Sequence, residues 1–164
     1  MKILLPVYSM ADAKMIVDFV SNYRWPPTSD FKVMHVIGGM ATEEAYLKAE
    51  EEAGKLLASV VERLQKALPQ AHFESEVLSG DPAYEVVSVA GKWQASMIVM
   101  GYRVRTDIQG QLAGSVSKSV TMNAPCSVAI IRPPVEAPTV LSVVKEEEQS
   151  QLSAPLGGAC FGLH

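Results

Sequence analysis

From its first residues to about position 132 the chain alternates short apolar runs with longer amphipathic segments. Lys2 to Tyr8 (KILLPVY) has the pattern of a buried strand. Ala11 to Tyr23 follows, with Met15/Ile16, Phe19/Val20 and Tyr23 recurring at the spacing of one helix face. Trp25-Pro26-Pro27 ends that helix, because proline has no N–H to donate and restricts the residue before it. Phe31 to Ile37 (FKVMHVI), closed by Gly38-Gly39, is a second buried strand. Thr42 to Leu68 is the longest periodic stretch, with Ala49, Ala53, Leu56/Leu57, Val60/Val61, Leu64 and Leu68 on one face. Thr42 suits its N-cap, Glu43 and Glu44 suit the positive end of the helix dipole, and Pro69 marks its end. His72 to Leu78 alternates well enough for a third strand. Gly80-Asp81-Pro82 then supplies a turn, an N-cap and a first-turn proline for a helix striped by Val86, Val89/Ala90 and Trp93. Ser96 to Met100 is a fourth strand. A polar loop from Gly101 to Ala113 leads to a short helix, Ser115 to Asn123, and Ser127 to Ile131 is the last strand before Pro133-Pro134.

Strands alternating with helices predict an α/β fold: a parallel sheet with helices on both faces and right-handed crossovers. Beyond Pro133 the periodicity fails. Prolines, the KEEEQSQ run and a Gly/Ala/Pro-rich end predict a folded domain over 1–132 and a mobile acidic tail over 133–164. No internal repeat is visible.

Composition narrows the class. A chain of 164 residues, 48% hydrophobic and 20% charged, is one soluble domain with a sizeable core. Fourteen Lys and Arg against eighteen Asp and Glu give a net charge of −4. Much of that excess sits in the tail, where Glu136, Glu146, Glu147 and Glu148 face only Lys145. The body therefore has no broad basic face, which argues against nucleic acid as a partner. Cys126 and Cys160 form no CxxC pair, which fits a reducing cytoplasm. His35, His72 and His164 lack the spacing of a zinc site, so no metal residue is assigned. Ile3 to Val7 is too short for a signal-peptide core, and no run approaches the ~18 apolar residues of a membrane span. A cytoplasmic protein without a membrane span is expected.

In an open parallel sheet, ligands sit beyond the carboxyl ends of the strands where strand order reverses. Those ends are Pro6–Ser9, Val36–Gly39 and Met100–Val104. The third carries the strongest signal. Gly101 permits a sharp turn out of the strand, and Gly114 permits close approach of backbone to a ligand. Ser115, with the N–H groups of Val116 and Ser117, opens a helix N-terminus suited to phosphate oxygens, and Arg103 and Arg105 add charge. A plain loop before a capped helix would use the same residues, so the glycines alone do not separate the two. His35, inside an apolar strand, is expected to be a hydrogen-bonded core histidine. Cys126 is expected to be a small buried residue, with no histidine placed to activate it. Trp25 and Trp93 read as packing, and the Glu43–Glu52 acids as a solvated helix face. The side of its helix that Lys118 occupies is not fixed by the sequence.

Met100-Gly101-Tyr102-Arg103, then nine residues beyond position 104, then Gly114-Ser115-Val116-Ser117 resembles the universal stress protein pattern G-x2-G-x9-G-[S/T]. Ala124-Pro125-Cys126-Ser127-Val128 is similar to that family's (A)PCPV stretch. The opening KILLPV and the His35-Val36 pair resemble its first two strands. The resemblance covers Met1 to about Arg132. It implies a five-stranded parallel sheet in the order 3-2-1-4-5, of the adenine-nucleotide α-hydrolase-like kind. It also implies a homodimer paired through the last strand (127–131), and an adenine nucleotide, ATP among them, as ligand. Contacts are implied at Pro6, Val7 and Tyr8, at Val36 (holding adenine through its backbone), and at Met100, Gly101, Arg103, Val104, Gly114, Ser115, Val116 and Ser117 around ribose and phosphates. No catalytic residue is carried over.

Two positions depart from the pattern. Tyr8 stands where the ATP-binding branch has an acid, and Val104 where the motif has its second glycine. If position 104 needs a positive φ, a β-branched residue there costs about 1–3 kcal/mol. Its isopropyl group would also fill space where a phosphate meets backbone N–H. A loss of ~2.8 kcal/mol is a hundredfold in affinity. Tyr8 offers either simple packing or a π-face for a base. The expected function is a stress-response regulatory module with a degenerate adenine-nucleotide site. The alternative is an adenine-nucleotide-dependent enzyme on the same fold; against it, the chain has no HxGH, KMSKS, SGGxDS or Walker A lysine.

Overall fold

The apolar runs and striped segments fold in the order in which they occur. The computed structural model describes residues 1–40, 42–102 and 115–132, all within a unit spanning Met1–Pro133. The elements are β1 (Lys2–Pro6), α1 (Met10–Asn22), β2 (Asp30–Ile37), α2 (Glu43–Ala67), β3 (His72–Ser79), α3 (Pro82–Trp93), β4 (Met97–Gly101), α4 (Ser115–Asn123) and β5 (Ser127–Ile131). The five strands form one parallel sheet in the order β3-β2-β1-β4-β5, the order that the resemblance implies. The tail expected over 133–164 and most of the 101–113 loop lie outside the described residues.

Alternation along each strand sends successive side chains to opposite faces, and this divides the core in two. On one face Ile3, Leu5, Phe31, Val33 and Val99 pack against Ile16, Val17 and Val20 of α1 and Leu57, Val60 and Leu64 of α2. On the other, Leu4, Met34, Val36, Ile98 and Met100 pack against Val86, Val89 and Ala90 of α3 and Val120 of α4. Helices therefore cover both faces, each by the stripe that its sequence shows. The core residues of α2 begin only at Ala53. The acids from Glu43 to Glu52 are exposed, as expected of a solvated face.

The caps are local and legible. The Ser9 side chain accepts from the N–H of Asp12, Thr42 from Ala45, and Asp81 from Tyr84, with Pro82 in the first turn of α3. Some boundaries differ from the sequence reading. β1 ends at Pro6 rather than Tyr8, because only the Val7 N–H still reaches β2, at the Met34 carbonyl (2.8 Å), before Ser9 caps α1. β4 runs one residue further than expected and includes Gly101, which pairs with Ile131. Trp25 packs as expected: its indole N–H donates to the Val20 carbonyl at 2.8 Å and its ring meets Phe31 edge-on. Among the described residues no helix is long and apolar enough to cross a membrane.

Candidate functional site

The chain steps from β1 out to β2 and β3, then returns across β1 to β4 and β5, so strand order reverses between β1 and β4. The carboxyl ends of β2, β1 and β4 stand side by side there, and α4 begins at the same end. Pro6, Val7, Tyr8, Val36, Met100, Gly101, Val116 and Ser117 are all on this end of the sheet. Arg103, Val104, Gly114 and the Ser115 side chain lie outside the described residues. Val7, Val36, Met100 and Ser117 are buried, and Val116 packs on the core from its half-buried position. These residues therefore offer a ligand mainly their backbone. Tyr8 is different: it is 56% exposed, with its ring against His35 rather than in the core.

Val36 is placed to use its backbone. The Met34 carbonyl faces β1, where it accepts the Val7 N–H, and the Ile37 carbonyl faces β3, where it accepts the Gly80 N–H. By alternation the N–H and carbonyl of Val36 face the β1 side, beyond the last β1 pair, Pro6 with Met34.

Where β1 stops, a side chain replaces it. The His35 Nδ1 lies 2.9 Å from the Val7 carbonyl oxygen, and the ring stacks with Tyr8 at 5.8 Å between centroids and 28° between planes. A carbonyl can only accept, so this bond assigns the proton to Nδ1. The expectation for His35 is half met. It is hydrogen-bonded, but only half-buried, because it stands at the open end of β2 rather than in the core.

The role expected of Gly101 is corrected. It is the last residue of β4, and the one positive-φ glycine among the described residues is Gly80. What Gly101 provides is space: a Cβ there would lie 3.1 Å from Asp12 Oδ1 and 3.3 Å from Asp12 Cβ. Asp12 is 6% exposed, and its carboxylate accepts from the Ser9 hydroxyl at 3.0 Å while the Asp12 N–H donates back to that oxygen. The sequence reading missed this buried acid at the strand-order reversal. Its signal was the Ser9-x-x-Asp12 capping pattern.

The remaining candidates lead away from chemistry. Burial pushes the Cys126 thiol above its ordinary range, which lowers its thiolate fraction. Lys118 is exposed. A cleft of about 300 Å³ lies between α3 and β3, but it is lined from Lys32, Glu76, Leu78, Glu85, Val89, Lys92 and Trp93, and its Lys32 is paired with Glu74 and Glu76. Among the described residues no three His, Cys, Asp or Glu side chains are grouped to hold a metal.

Comparison with known proteins agrees with the fold and the motif. The Universal stress protein family matches residues 1–132. A universal stress protein of Methanocaldococcus jannaschii is 35% identical over 85 residues, 52% of this chain and 49% of that protein, so the match spans about half of that relative. A universal stress protein of Archaeoglobus fulgidus superposes with a TM-score of 0.64 at 24% identity, covering 80% of this chain and 98% of that one. An Archaeoglobus fulgidus universal stress protein in complex with dAMP superposes with a TM-score of 0.60 at 25% identity, covering 80% and 97%. With the family pattern matched over residues 1–132 and its sheet order present, the chain belongs to the universal stress protein family.

Proposed function

We propose that this chain is a cytoplasmic stress-response regulatory module whose domain over 1–132 takes an adenine nucleotide weakly, and which works as a homodimer. The observation that carries the reading is the convergence of Pro6–Tyr8, Val36 and Met100–Gly101 where strand order reverses, beside the start of α4. Buried side chains there leave backbone to meet a ligand, and a helix start suits phosphate oxygens. The dAMP-bound Archaeoglobus fulgidus relative supports the adenine part. Tyr8 in place of an acid and Val104 in place of a glycine support weak binding. The residues from 133 onward are assigned to an acidic tail outside the domain.

Isothermal titration with ATP tests the reading, together with native mass spectrometry of the purified protein for a co-purified nucleotide. The expected dissociation constant is above about 1 μM. Sub-micromolar binding would overturn the degenerate site. Val104→Gly should tighten binding, by up to about a hundredfold if the valine costs ~2.8 kcal/mol. No gain would show that the valine is not the obstacle. No rapid catalysis is proposed, and turnover above ~1 per second, within the ordinary enzyme range, would favour the enzyme alternative.

A further inference from the structure

We propose that His35 reads the base, its Nε2 accepting a hydrogen bond from the 6-amino group of a purine and so favouring adenine over hypoxanthine. This rests on the adenine-nucleotide reading above. The bond from Nδ1 to the Val7 carbonyl, at 2.9 Å, fixes the tautomer. In a neutral ring whose Nδ1 carries the proton, Nε2 is a lone-pair acceptor. Among the described residues no hydrogen bond engages Nε2, and no fully buried side-chain nitrogen or oxygen lacks a partner, so Nε2 is not sealed in the core.

Its position follows from the sheet. β1 makes its last pair at Pro6 with Met34, so the ring edge at position 35 lies at the carboxyl end of β2 rather than under a continuing strand. The Val36 backbone is the next residue along, facing the β1 side. The Tyr8 ring lies along the imidazole face, 5.8 Å away and 28° from parallel, and the Val7 bond holds one edge. Both restrain the ring before any ligand arrives. A fixed acceptor discriminates by chemistry. The adenine 6-amino group donates to it, whereas the hypoxanthine 6-oxygen is itself an acceptor and would leave two lone pairs facing each other. The start of α4 can hold either nucleotide, and the Val36 N–H and carbonyl share in telling the bases apart, so the share that falls to His35 is the part of the ratio that His35→Phe removes.

The test is titration calorimetry of the full chain with AMP and with IMP at pH 8, where imidazole is ordinarily neutral. Binding of AMP about tenfold or more tighter than IMP is expected, with the ratio falling by about threefold or more in His35→Phe, which keeps a ring on Tyr8 but loses the acceptor and the bond to Val7. Equal binding of the two by the native protein, or a ratio unchanged in His35→Phe, would overturn the role of His35 and leave the nucleotide reading standing. If neither nucleotide binds, the nucleotide reading falls, and this inference with it. Should His35→Phe fail to fold, nitrogen NMR of the native protein decides. AMP should move the His35 Nε2 resonance and leave Nδ1 in place, and an Nε2 resonance unmoved by saturating AMP would overturn the proposal.

Discussion

At position 101 the absence of a Cβ leaves room that Asp12 fills. A methyl group there would meet Oδ1 and Cβ of Asp12 at 3.1 and 3.3 Å, so a short, capped side chain would have to give by a few tenths of an ångström. Gly101→Ala is therefore expected to cost about 1 kcal/mol in urea denaturation, at the low end for overpacking because alanine also restricts the unfolded chain. Asp12→Ala removes Oδ1 at 3.1 Å but keeps Cβ at 3.3 Å, so the methyl gains part of its space and the double variant should lose somewhat less than the two single losses together. Additive losses would mean that the Asp12 carboxylate is not what crowds the methyl. Neither residue's role was readable from the sequence. Gly101 looked like a turn glycine because it follows a strand, and Asp12 was not singled out; only the pairing of β1 with β4 brings them together. His35 was misjudged for a related reason, since its exposure depends on where the β1 ladder stops. The Cys126 thiol, raised by burial, gives a simpler expectation. In a Cys160→Ser background it should alkylate at pH 8 more slowly than free cysteine, because a raised pKa leaves less thiolate. A faster rate would contradict its placement against the α3–α4 core.

Helix ends show how far a local signal reaches. The start of α3 was legible because its parts are consecutive: Gly80 at φ +147°, Asp81 accepting from the Tyr84 N–H at 2.8 Å, and Pro82 in the first turn. Its end was not legible. Gln94 adopts the left-handed conformation, φ 56° and ψ 49°, without being glycine or asparagine. The cause lies in the exit from the helix. The Gln94 N–H donates to the Gly91 carbonyl and the Ala95 N–H to the Ala90 carbonyl at 2.9 Å, bonds that close the last turn and aim the chain into β4. Glycine would adopt that conformation without a Cβ penalty. Gln94→Gly is thus expected to stabilise the domain by about 1 kcal/mol in thermal or urea unfolding, and a loss would show that the glutamine side chain contributes more than its backbone costs. Asp81→Ala should cost about 1 kcal/mol by removing the cap. The strands and helices themselves were readable from apolar patterning, since each crossover buries one stripe on one face. Their order rested on the family resemblance, because patterning does not say which strand lies beside which.

The sheet has two edges of opposite character. β3 carries Glu74 and Glu76, both tied to Lys32 of β2, at 3.2 and 3.6 Å, and such charges discourage a second strand from adding. β5, SVAII, has no charge, and its last four residues are only half-buried. An apolar edge left open is a liability, and a second copy of the same strand about a two-fold axis would cover it. The proposed dimer is therefore placed at β5, and the register supplies a clean test. The Ile131 carbonyl accepts the Tyr102 N–H at 2.7 Å, so Ile131, Ala129 and Ser127 turn their backbone groups toward β4. By alternation the N–H of Val128 points away from β4, to the edge of the sheet among the described residues. Val128→Pro should remove a donor from the interface between copies while sparing the β4–β5 ladder. Sedimentation of the native chain is expected to show a dimer, and Val128→Pro a monomer with unchanged circular dichroism. A chain ending at Arg132 should still dimerise if β5 itself is the interface. A native monomer that dimerises only after that truncation would mean instead that the segment beyond Pro134, where Thr139 to Val144 is apolar and β-prone, covers the edge in place of a second copy.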